Sequence, residues 1–196
     1  MSLATFAGQA WANFQRTAAV APSSRFLAEA MVKPLPLRKA RVVVELGPGT
    51  GVMTRELLQL VPEDCHVLAF EINPQFIDYL HGEVRDPRLE VIAGGAENAA
   101  EELLRRGHTR VDAVLSSLGF GMMPEAFSHQ VIRGLRPFLD GGSGLTQYQY
   151  VHAIRWYDGG IEFFDLRTVL SQYFSHVERR KVWRNLPPAN VLHCRI

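Results

Sequence analysis

Apolar residues in this chain fall into short runs separated by stretches with helical spacing. Val42-Val43-Val44 is a β-branched run that leads into a glycine turn at Gly47; beyond it Met53, Leu57, Leu60 and Val61 share one helix face. Strand, tight loop and helix in that order open a parallel α/β sheet. A strand over 65–71 then leads to a helix marked by Asn73-Pro74, with Phe76, Ile77 and Leu80 as its buried face. Leu89 to Ala93 reads as a third strand, followed by Gly94-Gly95-Ala96-Glu97 and a helix ending at Arg105-Arg106-Gly107. Val111 to Leu118 is a fourth strand, after which a Gly/Met loop precedes a helix to Arg136. Gly141 to Gly144 turns into a fifth strand over 145–151, and Asp165 to Phe174 reads as the last helix. Strands over 177–183 and 189–195 flank the turn Arg184-Asn185-Leu186-Pro187-Pro188 and close an antiparallel hairpin. The expectation is one α/β domain, 1–196, with a seven-stranded sheet; residues 1–39 form N-terminal helices and 40–196 the core.

Upstream of the first strand, Leu3, Phe6, Ala7, Ala10, Trp11 and Phe14 form one continuous apolar helix face. The other side, Thr5, Gln9, Asn13 and Gln15, is polar and uncharged, and Arg16 closes it. Trp and Phe with a basic end suit a helix lying in a membrane interface. A helix packed over the sheet edge would read the same way. A second helix opens within Ala21-Pro22-Ser23-Ser24-Arg25-Phe26-Leu27-Ala28, with a serine N-cap and Phe26, Leu27, Ala30 and Met31 inward. Lys33-Pro34-Leu35-Pro36 ends it. Both helices are placed to cover the mouth of a ligand site.

Composition narrows the setting. With 196 residues, 47% hydrophobic and 21% charged, the chain suits one globular domain. No apolar run reaches the ~20 residues of a membrane span, and the start of the chain lacks signal-peptide character. Cys65 and Cys194 lie far apart and form no CxxC, which points to a reduced cytoplasmic compartment. Seven histidines are scattered without ligand spacing, so no metal is expected. Net charge is only +1 but unevenly spread. Arg16, Arg25, Lys33, Arg38, Lys39 and Arg41 face only Glu29 before residue 45; Arg179, Arg180, Lys181, Arg184 and Arg195 face only Glu178 after residue 175. Basic ends on an acidic body point to an anionic surface as partner, lipid headgroups or nucleic acid.

The chemistry centres on Glu45-Leu46-Gly47-Pro48-Gly49-Thr50-Gly51. Glycines let a backbone approach a ligand closely, and the following helix start offers unpaired N–H groups. Glu71 ends the next apolar run twenty residues past Gly51, the spacing at which an acid meets both ribose hydroxyls. The dinucleotide fingerprint puts two more residues between its second and third glycines, so this loop departs from it. The stretch instead resembles the first motif of the class I S-adenosylmethionine-dependent methyltransferases. That resemblance implies their seven-stranded Rossmann-like sheet with its C-terminal antiparallel hairpin, and S-adenosylmethionine as cofactor.

Three further stretches resemble the bacterial phospholipid N-methyltransferases, which methylate the amine of phosphatidylethanolamine or related aminolipids. They are Ala19 to Ala28, Asp112-Ala113-Val114-Leu115-Ser116-Ser117-Leu118, and Trp183-Arg184-Asn185-Leu186-Pro187-Pro188-Ala189-Asn190-Val191. The resemblance implies an aminophospholipid substrate and peripheral attachment to the inner face of the membrane, with Phe6, Trp11, Phe14 and Arg25 on the membrane side. Where that family carries an adenine-binding aspartate this chain has Gly95; adenine then falls to Glu97, or to the Ala96 N–H with Ile72 stacking. Ser116 and Ser117 end the fourth strand, where parallel sheets place ligands, and can accept from an amine. Tyr148 and Tyr150, two apart on the fifth strand, can present rings to a methylated ammonium. Arg184 and Asn185 can hold a lipid phosphate, and Arg155 to Phe164 adds a second aromatic lip.

Two other functions compete. An rRNA adenine dimethyltransferase shares the body but needs Asn and Pro after the fourth strand, where this chain reads Ser117-Leu118-Gly119-Phe120; nucleic acid is therefore disfavoured. A non-catalytic adaptor would keep the fold without needing Glu45 and Glu71, which are both in place.

Overall fold

Strand β1 (Val42–Leu46) is buried along its whole length, as a central parallel strand covered on both faces must be. The computed structural model describes residues 23–151, 154–157 and 160–196. The expected amphipathic helix with Phe6, Trp11 and Phe14 lies outside the described residues. Around β1 the sheet runs in the order β3-β2-β1-β4-β5-β9-β8, formed by β2 (His66–Glu71), β3 (Leu89–Ala93), β4 (Ala113–Ser116), β5 (Gly144–Tyr150), β8 (His176–Val182) and β9 (Ala189–Arg195). Strands β1 to β5 pair in parallel; β9 is antiparallel to both β5 and β8. This is the expected seven-stranded sheet with its closing hairpin. The fourth strand is shorter than expected only at its ends, where the Asp112 and Ser117 N–H groups still donate to β1 carbonyls at 2.9 and 2.8 Å.

Alternation along each strand feeds two apolar layers. Val42, Val44 and Leu46 join Leu68, Phe70, Val114 and Leu145 on one face. Val43 joins Val67, Leu115 and the helices α1 (Arg25–Val32) and α2 (Val52–Leu58) on the other. The Ser24 hydroxyl caps α1 by accepting from the Leu27 N–H at 3.2 Å, and Leu27, Ala28 and Met31 are buried beneath it. Helix α3 (Pro74–Glu83) starts at the expected Asn73 cap, yet of its three expected apolar contacts only Leu80 is buried. Phe76 and Ile77 stay partly exposed because α3 flanks β2 and the edge strand β3, where little sheet remains to cover. Helices α4 (Ala99–Arg105), α5 (Glu125–Leu135) and α6 (Leu166–Leu170) complete the first layer.

The insertion after β5 forms its own antiparallel pair, β6 (Ile154–Tyr157) and β7 (Gly160–Phe163), against the turn Phe120–Met122. Phe164, expected on an aromatic lip, is a core residue instead. The reason is Gln149, whose amide donates to the Phe164 carbonyl and accepts from the Leu166 N–H at 3.1 Å, drawing the returning chain onto the sheet.

Candidate active site

The glycine loop hangs at the carboxyl end of β1. Gly47, Gly49 and Gly51 all have positive φ, a conformation that side chains resist. Two of them do different jobs. A Cβ on Gly51 would lie 2.7 Å from Leu80 Cδ2, so this glycine lets the loop pack on α3. A Cβ on Gly49 would meet no protein atom within 4 Å; that bare backbone faces open space where a ligand can approach. Between them Pro48 and Thr50 close the turn: the Pro48 carbonyl accepts the Gly51 N–H, and the Thr50 carbonyl accepts from Arg55, both at 2.9 Å.

Glu71 and Glu45 occupy the positions that the sequence pattern assigns them. One Glu71 oxygen accepts the Gly49 N–H at 3.1 Å, and the other accepts the Ile72 and Asn73 N–H groups at 2.9 Å each. Its carboxylate is thereby held at the mouth of the loop, the place required for ribose hydroxyls. Glu45 is fully buried and neither of its oxygens has a hydrogen-bond partner. Burial pushes its pKa up to about 7, and the Glu71 charge adds to the rise. The nearby Thr54 hydroxyl, itself buried and without a hydrogen-bond partner, opposes the rise. A buried carboxylate without a cation is unfavourable alone and suits a ligand that brings positive charge. S-adenosylmethionine carries a sulfonium and an ammonium, so these residues fit it.

Both candidates for holding the adenine, Glu97 and the Ala96 N–H with Ile72, lie next to Gly95. Gly95 is extended, and any Cβ built on it would overlap the Glu97 carboxylate. Glu97 therefore fills the space a side chain at 95 would start from. Ala96 begins a 3-10 turn there, where first-turn N–H groups lack partners inside the turn, and Ile72 is 41% exposed alongside the site.

The four residues expected to meet the substrate split between two faces. Ser116 is buried and its hydroxyl has no partner, whereas the Ser117 hydroxyl points to the other face and donates to Met53 Sδ at 3.1 Å. Tyr148 and Tyr150 form an edge-on ring pair, centroids 5.5 Å apart, packed toward the α1 layer. Burial raises the Tyr148 phenol well above its usual range, and it shares hydrogen bonds with Tyr150 and Ser23. Sequence reasoning passed over Gln147. It lies in register with Ser116 and is fully buried; its Nε2 donates to the Leu118 and Tyr148 carbonyls at 2.8 and 2.6 Å, which leaves Oε1 unpartnered. The signal was present: glutamines at 147 and 149 alternate on an inward strand face, where polar residues are costly unless used.

At the hairpin turn the expected phosphate pair also separates. Asn185 is buried; its Oδ1 accepts the Ser24 N–H at 2.9 Å and its Nδ2 donates to the Pro187 carbonyl at 2.7 Å. Its donor and acceptor thus tie the turn to the start of α1 instead of holding a phosphate. Arg184 stays exposed, 4.4 Å from the Phe26 ring centroid, with Arg25 4.9 Å from the same ring. Among the described residues no helix is long and apolar enough to cross a membrane.

Comparison with known proteins agrees with this geometry. The family described as methyltransferase domain matches residues 43–142. An ornithine lipid N-methyltransferase from Singulisphaera acidiphila is 31% identical over 97% of this chain and 94% of its own. A ribosomal RNA small subunit methyltransferase H from Acinetobacter baumannii is 25% identical over 79% of this chain, but this chain spans only 50% of that protein. Among solved structures, a precorrin-6y C5,15-methyltransferase from Geobacter metallireducens superposes with a TM-score of 0.64 at 15% identity, covering 86% of each chain, and so shows the fold. The chain belongs to the class I S-adenosylmethionine-dependent methyltransferases, takes S-adenosylmethionine as its methyl donor, and within them is lipid N-methyltransferase-like.

Proposed function

We propose that this enzyme methylates the amine of an aminolipid, of the ornithine-lipid or phosphatidylethanolamine kind, while attached peripherally to the cytoplasmic face of a membrane. The observation that carries the reading is the pair of buried, unpartnered acceptors at adjacent strand ends, Ser116 Oγ and Gln147 Oε1. Two acceptors side by side suit two N–H bonds of an amine and leave its lone pair free to be aimed. The relative that matches nearly the whole chain supplies the lipid.

S-adenosylmethionine, when bound, supplies a methyl group on a sulfonium that departs without acid assistance. What this chain contributes is position. Glu71 and the Gly49 backbone hold the nucleoside end, and Glu45 offers its carboxylate to the positive charge. Ser116 and Gln147 orient the amine for in-line approach at about 3 Å, the alignment that supplies most of the acceleration. Neither titrates near neutrality, so the amine must shed its proton to water before attack and the rate rises with pH through the amine's own pKa. Tyr148 and Tyr150 lie on the opposite face of the sheet, packed toward the α1 layer, and so take no part in holding the amine that Ser116 and Gln147 orient.

The RNA reading has the weaker support, since Ser117-Leu118-Gly119-Phe120, directly after β4, carries neither the Asn nor the Pro that an extruded adenine needs there. Lipid extracts from cells expressing the chain, separated by headgroup, test the proposal. New methylated aminolipid is the expected result; unchanged lipids alongside methylated ribosomal RNA would overturn it.

A further inference from the structure

The turn between β8 and β9 lies at the same edge of the sheet as the glycine loop. Strand β9 is antiparallel to β5, its first residue Ala189 pairs with Tyr150, and the Val151 N–H donates to the Pro188 carbonyl at 3.0 Å. Two large apolar side chains project from this tip into solvent, Leu186 at 79% exposure and Trp183 at 64%. Cations lie along the same edge. Lys181 Nζ sits 5.3 Å from the Trp183 ring centroid, and the Arg25 and Arg184 guanidiniums share the Phe26 ring. Among the described residues neither arginine has an ion-pair partner, so two like charges stand together unbalanced. Beside them a depression of about 260 Å³ opens between α1 and β8, with Glu29 its one acid against Lys33, Arg180, Lys181 and Arg184. The Asn185 bonds to Ser24 and Pro187 hold the tip rigid against α1.

We propose that this tip is the membrane-docking surface, with Leu186 and Trp183 entering the headgroup–acyl boundary of an anionic phospholipid bilayer while Arg25 and Arg184 bind lipid phosphates. The inference deepens the aminolipid reading and rests on it for the substrate, though not for the binding. Its ground is chemical complementarity. A projecting leucine gains nothing from a nucleic-acid backbone, but on one turn with an exposed tryptophan and with cations alongside it matches an interface that is apolar below and anionic above. Docking by this edge turns the glycine loop and the ends of β4 and β5 toward the bilayer, so a headgroup amine can reach Ser116 and Gln147 without its acyl chains leaving the membrane.

Sedimentation of the full chain with phosphatidylcholine vesicles, with and without phosphatidylglycerol, tests this. Both Trp183 and Leu186 are exposed, so the double variant Trp183→Ala, Leu186→Ala should keep its melting temperature and S-adenosylmethionine affinity. It should bind anionic vesicles at least roughly 30-fold more weakly, as two lost interfacial side chains require. Arg25→Glu with Arg184→Glu should erase the preference for phosphatidylglycerol and the weakening of binding by salt. A double alanine variant that sediments like the wild type overturns the proposal, as does single-stranded RNA that binds the tip and displaces the protein from vesicles. A short-chain, monomerically dispersed aminolipid separates this from the parent reading. The alanine variant should methylate it at the wild-type rate while losing activity on vesicles. Wild-type protein that methylates neither form refutes the aminolipid substrate, and sedimentation still decides the docking surface.

Discussion

The Glu71 carboxylate accepts the Gly49 N–H at 3.1 Å, so the acid that ends β2 and the glycine loop that follows β1 are one hydrogen-bonded unit. Glu71→Ala therefore removes a ribose acceptor and leaves the Gly49, Ile72 and Asn73 N–H groups without their acceptor. Affinity for S-adenosylmethionine should fall by about one to two orders of magnitude, a loss of roughly 1.5–3 kcal/mol. Calorimetric titration and a melt on the same sample check it: affinity and melting temperature should fall together. An unchanged affinity would remove Glu71 from the site.

Glu45 makes the cofactor-free protein sensitive to pH. Its folded pKa of about 7 lies above the ordinary 4.5, because burial disfavours the charge. The folded state thus holds a proton that the unfolded state has released. Stability declines as pH rises from about 4.5 to about 7 and then levels, at a total cost of about 3 kcal/mol. Glu45→Gln should remove this slope, so its stability relative to wild type improves between about pH 5 and pH 8. In the wild type, the cationic cofactor favours the carboxylate. Its affinity should rise with pH up to about 7 and its binding should release a proton, visible as a buffer-dependent heat; Gln at 45 should show neither.

Ser116→Ala separates catalysis from folding. Deleting an unpartnered buried hydroxyl removes a desolvated group and costs no hydrogen bond within the protein. The melting temperature should hold or rise while kcat/KM for the aminolipid falls about tenfold or more, with cofactor affinity unchanged. Rates equal to wild type would show that the amine is held elsewhere.

The Glu97 carboxylate over Gly95 predicts a compensating pair. Glu97→Ala should weaken S-adenosylmethionine by about tenfold, one hydrogen bond to a charged acceptor. Gly95→Asp should restore binding in that background; with Glu97 present its flexible carboxylate must swing aside and two acids crowd one space, so the substitution should bring no gain in affinity. Calorimetry on the four proteins reads the cycle; additive losses would mean the two positions do not share one task.

Asn185→Ala should cost about 1–2 kcal/mol of stability, because the Ser24 N–H and the Pro187 carbonyl both lose their partner. The effect should appear in the melting temperature and leave cofactor affinity intact. A silent substitution would mean the turn is held without this amide.

The order of strands and helices, and the glycine loop with the acid that faces it, were legible in the sequence. Val42 to Val44 and the glycines at 47, 49 and 51 are local patterns, and Glu71 falls at the spacing by which one strand–loop–helix–strand unit returns to the end of the neighbouring strand. The positions of the later strands and of the hairpin turn follow from apolar period and turn residues in the same way, whereas the sheet they join was implied by the family resemblance. The far side of the site was not legible, because it is made by contacts between remote segments. Asn185 reads as a polar residue in a basic turn until its amide is seen to bond Ser24, 161 residues away in the chain. Phe164 reads as a lip until Gln149 binds its carbonyl. Ser116 and Ser117 are neighbours in sequence, yet the pleat sends them to opposite faces, and parallel pairing of β4 with β5 gives Ser116 a partner in Gln147 that no spacing announces. Periodicity settles which face a residue shares; only the register between strands settles which residue it meets there.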